Sequence, residues 1–263
     1  LQPELCLFLL SLGFVGGFLS GLLGIGGGII IVPLLLYAPP LFGLPAIAMK
    51  VVAGMTSVQS FVGAVSGAFG HNRYQRIMWP LVGYMGVPMA VTSLAGSLAS
   101  KHLEDAVLLG AFAGMALAAA AMILLPGRIE SHDPHPQDVH LCRPLAILAG
   151  LVIGVLSGIV GQGGAFLFIP TMLFVLAMPT RIAIGSALAI GVLSSFAVVI
   201  GRIGTDQVPW GWTLTLVVGV IAGARVGSVA SQRTPRILLR RVLAVIISVT
   251  AGKIWWEIAL AGG

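Results

Sequence analysis

The sequence predicts an all-α polytopic membrane protein made of two inverted-topology repeats, each a glycine-broken helical hairpin followed by three transmembrane helices. Three observations lead there: solid apolar runs of membrane-spanning length, a glycine-rich frame that occurs twice, and basic loops that change sides between the two halves. Of the 263 residues, 58% are hydrophobic and only 8% are charged, against about 25% charged in a soluble domain. A helix needs roughly 20 apolar residues to cross a bilayer, and several runs meet that length. A β-barrel would show short alternating segments instead. The net charge of +6 is carried by residues that sit singly between runs, as topology signals do. The lipid bilayer is therefore an expected partner and nucleic acid is not.

The repeated frame is Ser20-Gly21-Leu22-Leu23-Gly24-Ile25-Gly26-Gly27-Gly28, followed by Ile29 to Pro33, and then Ser157-Gly158-Ile159-Val160-Gly161-Gln162-Gly163-Gly164-Ala165, followed by Phe166 to Pro170. Ser20 and Ser157, Gly24 and Gly161, Gly27 and Gly164, and Pro33 and Pro170 all differ by 137. Each copy interrupts a long apolar run.

In chain order, the apolar runs are expected at about 5–23, 45–70, 78–99 and 106–125, then at about 145–160, 181–201, 210–230 and 238–260. Short segments at about 28–37 and 165–176 follow the two glycine breaks and are too short to cross alone. The first run has no basic n-region and no small-x-small cleavage site after it, so it is expected to be a retained helix. Pro39, Pro40 and Gly43 close the first short segment. The polar stretch that includes His132, His135 and His140 separates the halves and reads as a solvated linker. Its histidine spacing fits no zinc pattern. Residues 1–126 are thus the first repeat, with its hairpin at about 5–38; 127–143 are the linker; and 144–263 are the second repeat, with its hairpin at about 145–177. Ser60-Phe61 matches Ser195-Phe196, and 96–100 matches 227–231. Cys6 and Cys142 have no metal spacing and are expected on opposite sides of the membrane, unbridged.

Charge sets the relative orientation of the halves. Arg73 and Arg76 lie between the second and third runs, whereas the matching loop of the second half holds Arg202 and Asp206. In the second half the basic cluster, Arg233, Arg236, Arg240 and Arg241, lies one connection later. Placing these loops on the cytoplasmic side puts nine of the 14 basic residues inside and both termini outside. That arrangement requires each glycine break to be the tip of a hairpin, re-entrant or built of two tilted half-length helices.

Irregular backbone at membrane depth persists only where it is buried in protein or lines a wet cavity. The helix that starts after each break offers free N–H groups and partial positive charge, which suit an anion. The expected anion-binding set is therefore Gly24, Gly26, Gly27 and Gly28 from the first break, and Gly161, Gly163, Gly164 and Ala165 from the second. Ser20, Ser157, Ser57, Gln59, Ser60, Ser194 and Ser195 are the expected polar shell. Gln162 replaces Ile25 in the matching frame, so the site is expected to be asymmetric. A hydroxyl can bond its own helix backbone, whereas a primary amide cannot fully satisfy itself. Lys50, Arg202 and Arg225 are the cations within or at the edge of runs; Arg225 is the deepest in this reading and either adds charge to the site or snorkels to an interface. The competing reading is that the glycines only let helices pack closely, which fits Gly13, Gly17 and Gly21, and Gly150, Gly154 and Gly158. No carboxylate lies mid-run; Glu257 sits near the end of the last run beside Trp255 and Trp256. No catalytic residues, metal or cofactor are expected.

The doubled frame, with its GIGGG and GQGGA cores, and the pattern of four apolar segments, a polar linker and four more resemble the TauE/SafE family over essentially the whole chain. Ala165 departs from the third glycine of the first copy. The resemblance implies a membrane transporter, an exporter of a small sulfur-containing anion such as sulfite, thiosulfate or an organosulfonate such as sulfoacetate. It implies a prokaryotic cytoplasmic membrane, with a homodimer left open. The alternatives are an anion channel or uniporter, an intramembrane enzyme, for which no nucleophile–base pair or metal set lies at depth, and a structural or receptor-like component.

Overall fold

The structure is a computed structural model and describes residues 3–23, 28–71, 77–124, 139, 141–162, 165–231 and 252. These residues form helices and loops, with no strand among them. The first half holds α1 (Pro3–Leu23), α2 (Gly28–Leu41), α3 (Met49–His71), a rod made of α4 (Trp79–Leu81), a π-helical turn (Val82–Gly86) and α5 (Val87–Ala99), and then α6 (Asp105–Leu124). The second half holds α7 (Arg143–Val160), α8 (Ala165–Pro170) continued by a π-helical turn (Thr171–Val175), α9 (Thr180–Gly204) and α10 (Trp210–Ser231). Gly24, Gly26, Gly27, Gly163 and Gly164, the linker histidines, and the run expected at 238–260 lie outside the described residues.

The helix boundaries follow local chemistry. Pro sits in the first turn of α4 and α7, where its missing N–H costs no intrahelical bond. The ring of Pro88 crowds the carbonyl four residues back, which falls within the π turn Val82–Gly86; a π turn is one way a helix absorbs that conflict. Leu176 N–H bonds to Thr171 O at 3.0 Å, five residues back, at the second π turn. Among the described residues five stretches are long and apolar enough to cross a membrane: Trp79–His102, Asp105–Met122, Arg143–Val160, Ile182–Gly204 and Trp210–Gly227. Glu4–Leu19, Ile30–Leu41 and Met49–Val65 are shorter apolar helical stretches.

The packing partners cross between the halves. α1 lies on α10, where a Cβ on Gly13 would sit 2.4 Å from Leu216 O and one on Gly17 would sit 2.3 Å from Val220 O. α7 lies on the α4–α5 rod in the same way: a Cβ on Gly150 would sit 2.4 Å from Met85 O, and one on Gly154 would sit 2.5 Å from Met89 O. Gly158 makes the next such contact, against Ser93 O. Small residues thus let backbone meet backbone, the usual device for helices in lipid. The two contacts match residue for residue, with 137 positions separating Gly13 from Gly150 and 131 separating Met85 from Leu216. Between them run α3 and α9, whose Phe61 and Phe196 rings stack tilted at 5.6 Å.

Polar contacts show which helix ends share a face. At one end Met49 N–H donates to Asp105 Oδ2 at 3.0 Å, Lys50 Nζ donates to Lys101 O at 3.2 Å, and Ser100 Oγ donates to Gln207 Oε1 at 3.4 Å. These join the starts of α3 and α6, the end of α5 and the α9–α10 loop. At the other end Met78 N–H donates to Ser186 Oγ at 3.0 Å, and Arg143 lies over the Tyr84 ring at 5.2 Å. Cys6 and Cys142 are free thiols.

Candidate functional site

The second glycine break is described at its entrance. α7 ends at Gly161, which has φ +82° and donates its N–H to Ser157 O at 2.9 Å. The left-handed backbone there favours glycine. Space demands it too, since a Cβ on Gly161 would lie 2.2 Å from Ala53 O, one turn into α3. The next residue is Gln162, only 1% exposed. Its side chain lies against the first residue of α2: a Cβ on Gly28 would be 2.8 Å from Gln162 Oε1 and 3.0 Å from its Cδ. The structure therefore brings a residue of the second break onto Gly28, the first described residue of α2.

The amide of Gln162 has neither its donor nor its acceptor satisfied; both Nε2 and Oε1 are buried without a hydrogen-bond partner. Such a group costs free energy where it stands. It faces Gly28, the first described residue of α2; a helix that starts there presents N–H groups without intrahelical acceptors and partial positive charge. Among the described residues α2 runs from Gly28 and α8 from Ala165.

The polar shell divides. Ser157 Oγ and Ser60 Oγ are buried and have no partner. Ser60 lies seven residues beyond Ala53, two turns along α3 and on the same face, which is the face that meets the second break. Gln59 is fully buried. Ser57 instead donates to Gly54 O at 2.7 Å and Ser195 donates to Gly191 O, the local bonds that hydroxyls make within helices. Ser194 pairs with Ser93 Oγ at 2.9 Å and so ties α9 to α5. Ser20 falls in the last turn of α1.

The two cations near the ends of α9 and α10 differ in facing. Arg225, expected to be the deepest, is exposed on α10, whereas Arg202 is fully buried. A position along a helix gives depth but not facing, and Arg202 faces inward. It donates through Nη2 to Ile159 O at 2.6 Å and to Gly158 O at 3.2 Å, and through Nη1 to Gln207 Oε1. The two carbonyls belong to the last turn of α7, where acceptors lack intrahelical donors and a cation suits the helix dipole. Arg202 thus fastens the helix end that presents Gln162. The sequence signal for it was an arginine close to the end of an apolar run in one half, with Gly67 at the matching position of the other.

The model of the family described as sulfite exporter TauE/SafE matches residues 9–254. A probable membrane transporter protein of Xylella fastidiosa (strain Temecula1) is 31% identical over 254 residues, covering 93% of each chain. One of Methanocaldococcus jannaschii is 26% identical over 253 residues, covering 92% of each. One of Bacillus subtilis is 23% identical over 261 residues, covering 91% of this chain and 94% of its own. No solved structure matches the chain.

Proposed function

The chain belongs to the sulfite exporter TauE/SafE family of integral membrane transporters, and on that footing we propose that it is a secondary transporter exporting a small sulfur-containing anion. Sulfite, thiosulfate and an organosulfonate such as sulfoacetate are the substrates in view. The anion binds where the starts of α2 and α8 converge, held by backbone N–H groups of the two breaks and by Gln162, with Ser157 and Ser60 beside it. The observation that carries this reading is the buried, unpartnered Gln162 amide on the first residue of α2. An anion with oxygen acceptors would take a hydrogen bond from Nε2, and the helix dipole would stabilise its charge.

In this reading the halves are inverted repeats, 1–126 and 144–263, in a prokaryotic cytoplasmic membrane with both termini outside. The crossed packing of α1 on α10 and of α7 on α5 supports it, as does the pairing of Phe61 with Phe196 across α3 and α9. The midplane site between two broken helices is the pattern of transporters that alternate access by moving one half against the other. The described carboxylates, Glu4, Glu104, Asp105 and Asp206, all lie at helix ends or in loops. That favours, as a second reading, a uniporter or channel without a carboxylate proton carrier.

Proteoliposomes holding the purified chain test both. Saturable uptake of sulfite, thiosulfate or sulfoacetate that responds to an imposed ion gradient supports the coupled transporter. Flux driven by potential alone, without saturation, supports the channel. No flux of any of these anions through folded protein overturns the proposal.

A further inference from the structure

Arg202 raises a question that its role at the end of α7 does not answer. It is a fully buried cation whose partners are all neutral: two carbonyls and one amide oxygen. Among the described residues it has no carboxylate partner, and its Nε is buried with no acceptor at all. A buried charge without a counter-ion is unfavourable. Its neighbour Gln207 is in the same condition. Gln207 Oε1 accepts from Arg202, while Gln207 Nε2 is a buried donor with nothing to bond. Gln207 Nε2 is thus an unused donor on a side chain bonded to a buried cation that has no carboxylate partner among the described residues.

Gln207 also lines a cavity of about 320 Å3, together with Lys50, Val51, Asp206, Val208 and Pro209. The charges of Lys50 and Asp206 balance at the cavity wall, so the unbalanced charge is Arg202 beneath it. From this cavity the contacts lead from Gln207 to Arg202 and from Arg202 to the last carbonyls of α7, three to four residues before Gln162 in the chain.

We propose that Gln207 Nε2, at the cavity by Lys50 and backed by the buried charge of Arg202, is a second anion station that takes a small oxyanion in transit. The assignment rests on the transporter reading for its purpose, though not for its chemistry. The Nε2 donor suits an oxygen of an oxyanion, and the anion supplies a counter-charge that Arg202 lacks among the described residues. In the topology proposed above, the α9–α10 loop is on the outer face, so the station is the last stop of an exported anion. The first half places Gly67 where the second has Arg202, so this side chain has no counterpart on α3.

The test uses the full chain in detergent, with sodium sulfite as the probe and sodium gluconate as the control for ionic strength. The Gln162→Leu variant weakens the inner site and leaves the station. It is expected to keep saturable sulfite binding. Adding Gln207→Glu gives Arg202 an internal carboxylate; sulfite affinity is then expected to fall at least about tenfold, while the melting temperature without sulfite does not fall. Should that double variant fail to fold, Gln162→Leu with Gln207→Ala deletes the donor without adding charge, and its affinity is expected to fall at least about threefold. Loss of all sulfite binding in Gln162→Leu overturns the station, and so does unchanged affinity in the folded double variant. Sulfite binding by Gln162→Leu from a chain that transports nothing leaves the station standing and overturns the transporter reading instead.

Discussion

Replacing Gln162 by Leu separates what the residue does for the fold from what it does for an anion. The side chain is buried, its amide makes no hydrogen bond, and its Cγ and Cδ already pack on Gly28. Leu keeps a branch of similar reach and removes two unsatisfied polar atoms. A buried polar group left unpaired costs about 1–3 kcal/mol, so the variant is expected to be more stable by about that amount without ligand. At about 2–4 °C per kcal/mol for a chain of this size class, the melting temperature in detergent rises by roughly 2–12 °C. Transport should move the other way. The variant has lost its donor to the anion, and a hydrogen bond to a charged group is worth about 1.5–3 kcal/mol, so kcat/KM falls by roughly tenfold to a hundredfold. The assay pairs a thermal melt with sulfite uptake into proteoliposomes of both proteins. A lower melting temperature would mean that the amide has a structural partner. Unchanged uptake would refute a role in binding.

Other substitutions probe the frame that holds this residue. Gly161→Ala meets both a left-handed backbone, at about 1–3 kcal/mol, and a collision with Ala53 O, at about 1–3 kcal/mol for overpacking; a melt should show a loss of at least 2 kcal/mol, or about that. Gly17→Ala and Gly154→Ala occupy matching places in the two crossed contacts, so each is expected to lower the melting temperature, and by similar amounts; a loss from one alone would refute the equivalence of the contacts. Ser93→Ala and Ser194→Ala, singly and together, should show a coupling of about 0.6 kcal/mol, the average for such pairs in a membrane bundle. A coupling of zero in that cycle would mean that the α5–α9 hydroxyl pair does not form.

The repeat made much of this architecture readable in advance. α7 ends at Val160, with Gly161 as its cap, where the second copy of the frame breaks the apolar run. The apolar runs at 78–99, 145–160, 181–201 and 210–230 likewise became helices within a few residues of the expected ends. Hydropathy marks a span well because lipid requires every backbone group to be bonded internally. The choice of packing partner was not readable. Gly13 and Gly17 mark a face that admits a close neighbour, but nothing local says that the neighbour is α10 and not α3. The same holds for Ser194, whose hydroxyl is taken up by Ser93 across two helices. Arg202 and Arg225 show the limit for charge. Both stand near helix ends, and only the tertiary arrangement turns one inward and the other out. Gln162 was legible because a primary amide that replaces isoleucine in a repeated apolar frame has no local way to satisfy itself.

The account stands on an anion held between Gln162 and the start of α2. An experimental structure of the chain saturated with sulfite tests that most directly. The account predicts density for a compact anion within hydrogen-bonding distance of Gln162 Nε2 and of the first N–H groups of α2. An empty gap there at saturating sulfite, in protein that transports it, would contradict the claim.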